Sequence, residues 1–235
     1  KLQLVVTGMH LSKKYGFTVS EIKKDNFKID AKVNMILKSD SPVGITKSFA
    51  LGVKGFADVI NFLKPDLLLV LGDRYEILSS VIASMLARVP IAHIHGGEAT
   101  FGSYDESIRH SITKMSSIHF VAANEYKKRV IQLGENPKNV HLVGGLGIDS
   151  ISKIKTYDKK TIQNKLNIFF GIKNLLVTLH PTTLQKYNEN IEIDELLDAL
   201  KSFPDINIFF TQPNSDAGNR FIYFKIKKFL STRKN

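Results

Sequence analysis

The sequence predicts an α/β protein of parallel sheets arranged as two tandem units. Three observations carry that prediction. Short, continuously apolar runs recur at Leu2–Val6, Leu67–Leu71, Ile91–Ile94, Ile118–Ala122, Val140–Val143, Leu175–Leu179 and Ile206–Thr211. Stretches with helical spacing lie between most of them. The alternation breaks once, between Ile151 and Lys173, where Lys, Asn and Ile accumulate, and it restarts at Leu175. Runs that are apolar at every position suit strands buried on both faces, as in a parallel sheet. Alternation of strand and helix suits a doubly wound fold. The break reads as a linker around Lys153–Lys160, dividing the chain into residues 1–154 and 155–235.

The elements can be justified in order. Lys1 leads directly into Leu2–Val6, which reads as a strand already under way. The stretch Arg74–Arg88 places Ile77, Val81, Met85 and Leu86 on one helical stripe, and Pro90 blocks its continuation. Ser103-Tyr104-Asp105-Glu106 has the Ser-x-x-Glu form of a capping box. Ile108, Ile112 and Met115 follow at helical spacing and are expected to face the core. Gly144-Gly145-Leu146-Gly147 follows a strand, but it lacks the Gly-x-Gly-x-x-Gly spacing and the downstream acid of a dinucleotide site. It reads as a tight turn ending the first unit. The chain stops just after an amphipathic stretch, Arg220–Leu230. Both ends are expected to be cuts from a longer protein, with the first strand of the first unit missing.

Composition narrows the class. The 235 residues suffice for one or two domains at the usual ~100–200 residues each. A hydrophobic fraction of 43% is that of a globular chain. With no cysteine, disulfides and thiolate metal sites are excluded. No apolar run approaches the ~20 residues that span a bilayer, and no signal-peptide core opens the chain, so a cytoplasmic protein is expected. The net charge of +11 raises the question of nucleic acid. Zinc-finger spacing, RNP-like aromatics and long basic runs are absent, and Lys127, Lys128 and Arg129 fall in an amphipathic stretch. The charge reads as a solvated surface, and it also suits a small anionic substrate.

In parallel α/β folds, loops at the carboxyl ends of strands line the ligand crevice. Four such places hold polar residues. Gly72-Asp73-Arg74 follows one strand, and Asp73 reads either as a helix cap or as a catalytic acid. His93-Ile94-His95-Gly96-Gly97-Glu98 puts two His residues at alternate positions and then an acid on a glycine turn. The two His could ligate a metal only with a third ligand, and nothing nearby establishes one. At the next helix start, the capping box accounts for Glu106. Asp105 is then either the freer acid for proton transfer or half of a surface pair with Arg109. Beyond the linker lie His180-Pro181 and the turn Gln212–Gly218, which contains Asn214. His180 is open to phosphate binding, proton transfer or a purely structural role.

Several segments resemble the hydrolysing UDP-N-acetylglucosamine 2-epimerases of the sialic-acid (NeuC) type. They are Thr7-Gly8-Met9-His10, Gly72–Ile77, His93–Glu98, Tyr104-Asp105-Glu106, Ile108–Met115 and Glu125–Glu135. The resemblance covers nearly all the chain to about Asp149, then thins to His180-Pro181 and Asn214–Gly218. It implies two Rossmann-like domains of the GT-B kind, the second only partly present here. The implied reaction turns UDP-N-acetylglucosamine and water into N-acetylmannosamine and UDP. The proton at carbon 2 is lost as UDP departs, and water then adds with the opposite configuration. Carboxylates with divergent pKa values suit such acid–base work.

By resemblance, Asp73, Glu98 and Asp105 take the family's catalytic acid positions. Arg74, His95, Arg109, His180 and Asn214 take substrate-binding ones. No metal and no redox cofactor is implied, and the full-length protein would be a homodimer or higher homo-oligomer. Many relatives carry Glu where this chain has His95, although the sialic-acid branch shares His-Ile-His-Gly-Gly-Glu. The family's N-terminal Gly-Ser/Thr-Arg-Ala loop and its downstream Gly-Asn-Ser-Ser-Ser-Gly phosphate segment are absent. A sister enzyme acting on a UDP-2,4-diacetamido-trideoxy sugar would share every motif, and a non-catalytic nucleotide-sugar binding module is a third reading.

Overall fold

The computed structural model of the chain describes residues 1–180, 189–212 and 219–233. Contacts divide it into two compact units, Lys1–Asp149 and Ser150–Asn235. In the first unit, β1 (Val5–Thr7) is followed by α1 (Val19–Lys24), β2 (Ala31–Val33) and α2 (Pro42–Leu63). Then come β3 (Leu68–Leu71), α3 (Tyr75–Leu86), β4 (Ile91–Ile94), α4 (Tyr104–Met115), β5 (Ile118–Val121), α5 (Asn124–Gln132) and β6 (Val140–Leu142). The helix α6 (Leu146–Lys153) runs across the boundary between the two units. The second unit holds α7 (Lys159–Leu166), β7 (Asn174–Val177), α8 (Glu189–Lys201), β8 (Asn207–Phe210) and α9 (Asn219–Ser231).

Every strand pair among the described residues is parallel. The strands order as β1-β2, β3-β4-β5-β6 and β7-β8. Each apolar run read from the sequence overlaps a strand, Ile91–Ile94 without change and the others with their ends moved by one to three residues. Val70, Val81, Ile91 and Ile112 form the core between β3, β4, α3 and α4, with Leu68, Ile108 and Met115 packed against it. A second core joins Val33, Phe56, Ile60 and Ala83, and a third joins Val121, Val130 and Val140. In the second unit Ile193, Leu197, Leu200, Ile208, Ile222, Ile226 and Phe229 form one core between α8, α9 and the sheet.

Three expectations are corrected. The buried side of α3 is largely polar and small: Glu76, Ser79, Ser80, Ala83 and Ser84 are buried, whereas Met85 and Leu86 are exposed. Small side chains there allow close packing on α2, where a Cβ on Gly52 would meet Ser79. Gly144–Gly147 is a turn only at its start: Gly144 is left-handed at φ +81, and α6 begins at Leu146. The linker stretch is partly helical. The helix α6 runs to Lys153, and α7 starts at Lys159, where Asp158 Oδ1 accepts from the Thr161 N–H at 2.7 Å. Capping of this kind stabilises a helix that buries little.

Candidate active site

Because the sheet is parallel, β3, β4 and the strands beside them end on one side, and the loops there gather the polar residues. After β3 the chain turns at Gly72, whose φ of +88 is a conformation that glycine adopts without strain. A side chain there would meet nothing within 4 Å, so the requirement is on the backbone and not on packing. Asp73 follows, and it is not the cap of α3. The N-cap is Arg74, which makes no side-chain capping bond. Asp73 instead accepts from Arg109 Nη2 of α4.

Arg109 is the junction of the region. It is 5% exposed, although the sequence places it on a polar helix start. Its guanidinium donates to Asp73, to the Glu98 carbonyl at 3.1 Å, to Thr100 Oγ1 at 2.9 Å and to Glu106 Oε2 at 3.4 Å. One side chain thus ties the ends of β3 and β4 to the start of α4. A planar fork with several donors suits such a task.

After β4 the two His residues part company. His93 lies within the strand and is fully buried. Its Nε2 is 2.8 Å from the Gly72 carbonyl, and its Nδ1 is 3.1 Å from Thr113 Oγ1. A carbonyl can only accept, so Nε2 carries the proton and Nδ1 accepts from the Thr113 hydroxyl. Burial disfavours the imidazolium and lowers the pKa to about 4, despite the bond to Gly72. His95 sits just past the strand in the left-handed region, at φ +66. Its N–H donates to the Phe120 carbonyl of β5, and its Nδ1 lies 2.6 Å from Glu98 Oε1. Both side chains are partly exposed, at 24% and 30%. Gly97 between them is packed on α5, where a Cβ would collide with the Tyr126 carbonyl, and Arg129 donates to the Gly97 carbonyl.

The start of α4 departs from the capping box. Ser103 Oγ accepts from the Asp105 N–H at 3.1 Å and donates to the Asp105 carboxylate. Glu106 does not close the box onto the N-cap. Its carboxylate accepts from the Thr100 N–H and contacts His110 at 3.0 Å. Partial burial opposes its charge, but the Thr100 N–H, His110 and Arg109 outweigh that and hold its pKa below the usual carboxylate range. Sequence reasoning assigned Glu106 to the cap and missed this network, which becomes visible only when Thr100 and Arg109 fold beside it.

Two further acids and bases take their places. Glu76, missed from sequence, is 5% exposed, and Arg74 Nε donates to its Oε2 at 3.2 Å. It lies against Gly8, just after β1. The signal was its position in the first turn of α3, two residues from Arg74. In the second unit, His180 follows β7 and is exposed, and Asn214 lies outside the described residues. Among the described residues, no group of three or more His, Asp or Glu side chains is placed to hold a metal ion. A cavity of about 520 Å³ between α2 and α3 is lined by Ile60, Lys64, Pro65 and Val89, at the opposite end of the strands from these acids.

Parallel sheets in two α/β units, with carboxylates, an arginine and a His–Glu pair gathered at the strand ends of the first, define an α/β protein with a polar cluster at the carboxyl edge of a parallel sheet. Comparison with known proteins makes that narrower. The chain matches the family described as UDP-N-acetylglucosamine 2-epimerase over residues 1–234, and it belongs to that family.

It is 40% identical over 221 residues to a Campylobacter jejuni GDP/UDP-N,N'-diacetylbacillosamine 2-epimerase (hydrolyzing), covering 94% of this chain and 57% of that protein. It is also 40% identical over 235 residues to the Escherichia coli polysialic acid biosynthesis protein P7, covering 100% and 60%. A Legionella pneumophila UDP-N,N'-diacetylbacillosamine 2-epimerase (hydrolyzing) is 34% identical over 229 residues, covering 97% and 60%. The chain thus spans less than two thirds of the length of these relatives. In fold it resembles a Neisseria meningitidis UDP-GlcNAc 2-epimerase bound to UDP-GlcNAc, with a TM-score of 0.70 and 20% identity over 99% of this chain and 70% of that one. The α/β fold with parallel sheets is that of these GT-B-like epimerase structures.

Proposed function

We propose that the whole protein is a hydrolysing 2-epimerase of a UDP-linked 2-acetamido sugar. The observation that supports it is the gathering of Asp73, His95, Glu98 and Asp105 around the ends of β3 and β4 and the start of α4, in a chain of the epimerase family. The reaction breaks a weakly acidic C–H bond at carbon 2 and the C1–O bond to UDP, leaving an unsaturated sugar. Water then adds, with hydroxyl to carbon 1 and a proton to the opposite face of carbon 2. Both halves need positioned proton donors and acceptors, which contribute about 100- to 10,000-fold each. Asp73, Glu98 and Asp105 are the carboxylates for that work. Arg74, His180 and Asn214 serve the UDP portion. Arg109, buried and spent on Asp73 and Glu98, orients the acids and does not reach for substrate.

On the first substrate reading, UDP-N-acetylglucosamine gives N-acetylmannosamine and UDP. The second takes a UDP-2,4-diacetamido-trideoxyhexose, and two relatives named as diacetylbacillosamine 2-epimerases favour it. The test is product analysis with both nucleotide-sugars. Release of UDP and the 2-epimeric free sugar from one of them, at a rate well above the other, decides between the readings. Binding of both without turnover would instead support a non-catalytic module.

A further inference from the structure

His95 and Glu98 are bonded to each other, and neither is tied to anything else by its side chain among the described residues. The tautomer follows from the pair. A carboxylate accepts, so Nδ1 carries the proton that it donates at 2.6 Å, and in the neutral ring Nε2 is the nitrogen with the lone pair. That nitrogen is on a partly exposed side chain at the end of a strand. The other described His residues with carboxylate or carbonyl partners differ. His93 uses both nitrogens internally, His110 turns its Nε2 to Glu106 at 3.0 Å and keeps its Nδ1 buried, and His119, fully buried, turns its Nε2 to Glu135 at 3.2 Å.

The backbone is committed to this arrangement. His95 holds a left-handed φ of +66, a conformation that costs a non-glycine residue energy and collects at functional sites. Its N–H is fixed to Phe120. The loop carrying Glu98 is pinned by two arginines, Arg109 on the Glu98 carbonyl and Arg129 on the Gly97 carbonyl.

We propose that His95 is the proton-accepting catalytic residue of the pair and that Glu98 is a positioning residue acting through it. This rests on the epimerase reading above and reassigns the work between two of its residues. As the C1–O bond breaks and UDP leaves, Nε2 takes the carbon 2 proton. The electron pair of the C–H bond forms the C1–C2 double bond. The imidazolium then holds the proton beside the Glu98 carboxylate, which stabilises the charge as it forms and keeps the ring in one tautomer. This is the division of labour between the His and the acid in hydrolase triads.

The test is a double-mutant cycle on the whole protein with the nucleotide-sugar that it turns over, using His95→Gln, Glu98→Gln and both together. His95→Gln should lower kcat about 100- to 10,000-fold while KM changes little. Glu98→Gln should lower kcat by less. The double variant should be no slower than His95→Gln alone, because a residue that acts only through another has nothing left to act on. Losses that multiply would show that Glu98 meets the substrate itself and would overturn the proposal. So would a His95→Gln enzyme that keeps near-normal kcat. Nitrogen-15 NMR of the imidazole gives a readout besides rate: His95 should be protonated on Nδ1 in the wild type, and Glu98→Ala should reduce that fraction. Protonation on Nε2 in the wild type overturns the proposal whatever the kinetics. A wild type that turns over neither nucleotide-sugar overturns the epimerase reading and the proposal with it. An active wild type with multiplicative losses overturns the proposal alone.

Discussion

His93 and Arg109 hold the same strand ends by opposite means, one neutral and one charged, and each sets a measurable stability. The folded pKa of His93 is about 4, against 6.5 for the free group. Between those values the unfolded chain binds a proton that the native protein refuses, so stability falls as pH drops from about 6.5 to about 4 and levels off below. A gap of that size corresponds to roughly 3 kcal/mol at about 1.4 kcal/mol per unit. Burial lowers the His119 pKa as well, which adds in the same direction. Urea unfolding across that range should therefore show a smaller pH slope for His93→Gln than for wild type, and equal slopes would refute the assignment. Arg109→Met keeps the apolar stem and strands Asp73 and the Glu98 carbonyl. An unsatisfied polar group costs about 1–3 kcal/mol. Asp73 keeps some contact with water, so the lower half of that range is expected, read as a fall in the urea midpoint at constant m. The sequence shows that Asp73, Glu98 and Arg109 stand near strand ends. It does not show that Arg109 is buried, because burial depends on Asp73 arriving from 36 residues away.

At the scale of elements, the strand runs were legible because parallel strands buried on both faces are apolar at every position. The reading passes over β2, which is three residues long and flanked by Asp30 and Asn34. It also passes over α2, although Ser41 caps it and Pro42 opens it, a common helix start. The start of α4 was legible as a helix but not as a network. Its true cap is Ser103 on the Asp105 N–H, so Ser103→Ala should cost about 1 kcal/mol, measured by thermal or urea unfolding. Glu106→Gln should cost less, because an amide oxygen can still accept from the Thr100 N–H. The reverse order would mean that the Glu106 charge beside Arg109 and His110, and not the Ser103 cap, holds this helix start. Gly97 governs how the His95–Glu98 loop docks on α5. It combines a φ of +80 with contact to the Tyr126 carbonyl, and both exclude a side chain. Gly97→Ala should therefore destabilise the first unit well beyond the ~1 kcal/mol of a typical substitution, and it should impair turnover with the fold still present. A neutral Gly97→Ala would mean that the loop docks differently.

The chain is two α/β units, and the clustered carboxylates lie in the first. The sequence puts its break in strand–helix alternation between Ile151 and Lys173, and contacts divide the chain just before it, at Asp149–Ser150. The helices inside that break were not legible, because α6 and α7 are eight residues each and bury no residue, so neither leaves a run long enough to tell from a linker. The chain covers 57–60% of the length of its relatives, and activity is accordingly a matter for the whole protein. The central claim is that a proton leaves carbon 2 of a UDP-linked 2-acetamido sugar and one from solvent returns to the opposite face. The most direct measurement is turnover in deuterium oxide with UDP-N-acetylglucosamine and, separately, its 2,4-diacetamido-trideoxy counterpart, reading the free sugar by NMR. The account predicts UDP release from one of the two and a 2-epimeric sugar carrying one deuterium at carbon 2. A free sugar that keeps its configuration, or one that is inverted at carbon 2 with no deuterium there, would contradict it.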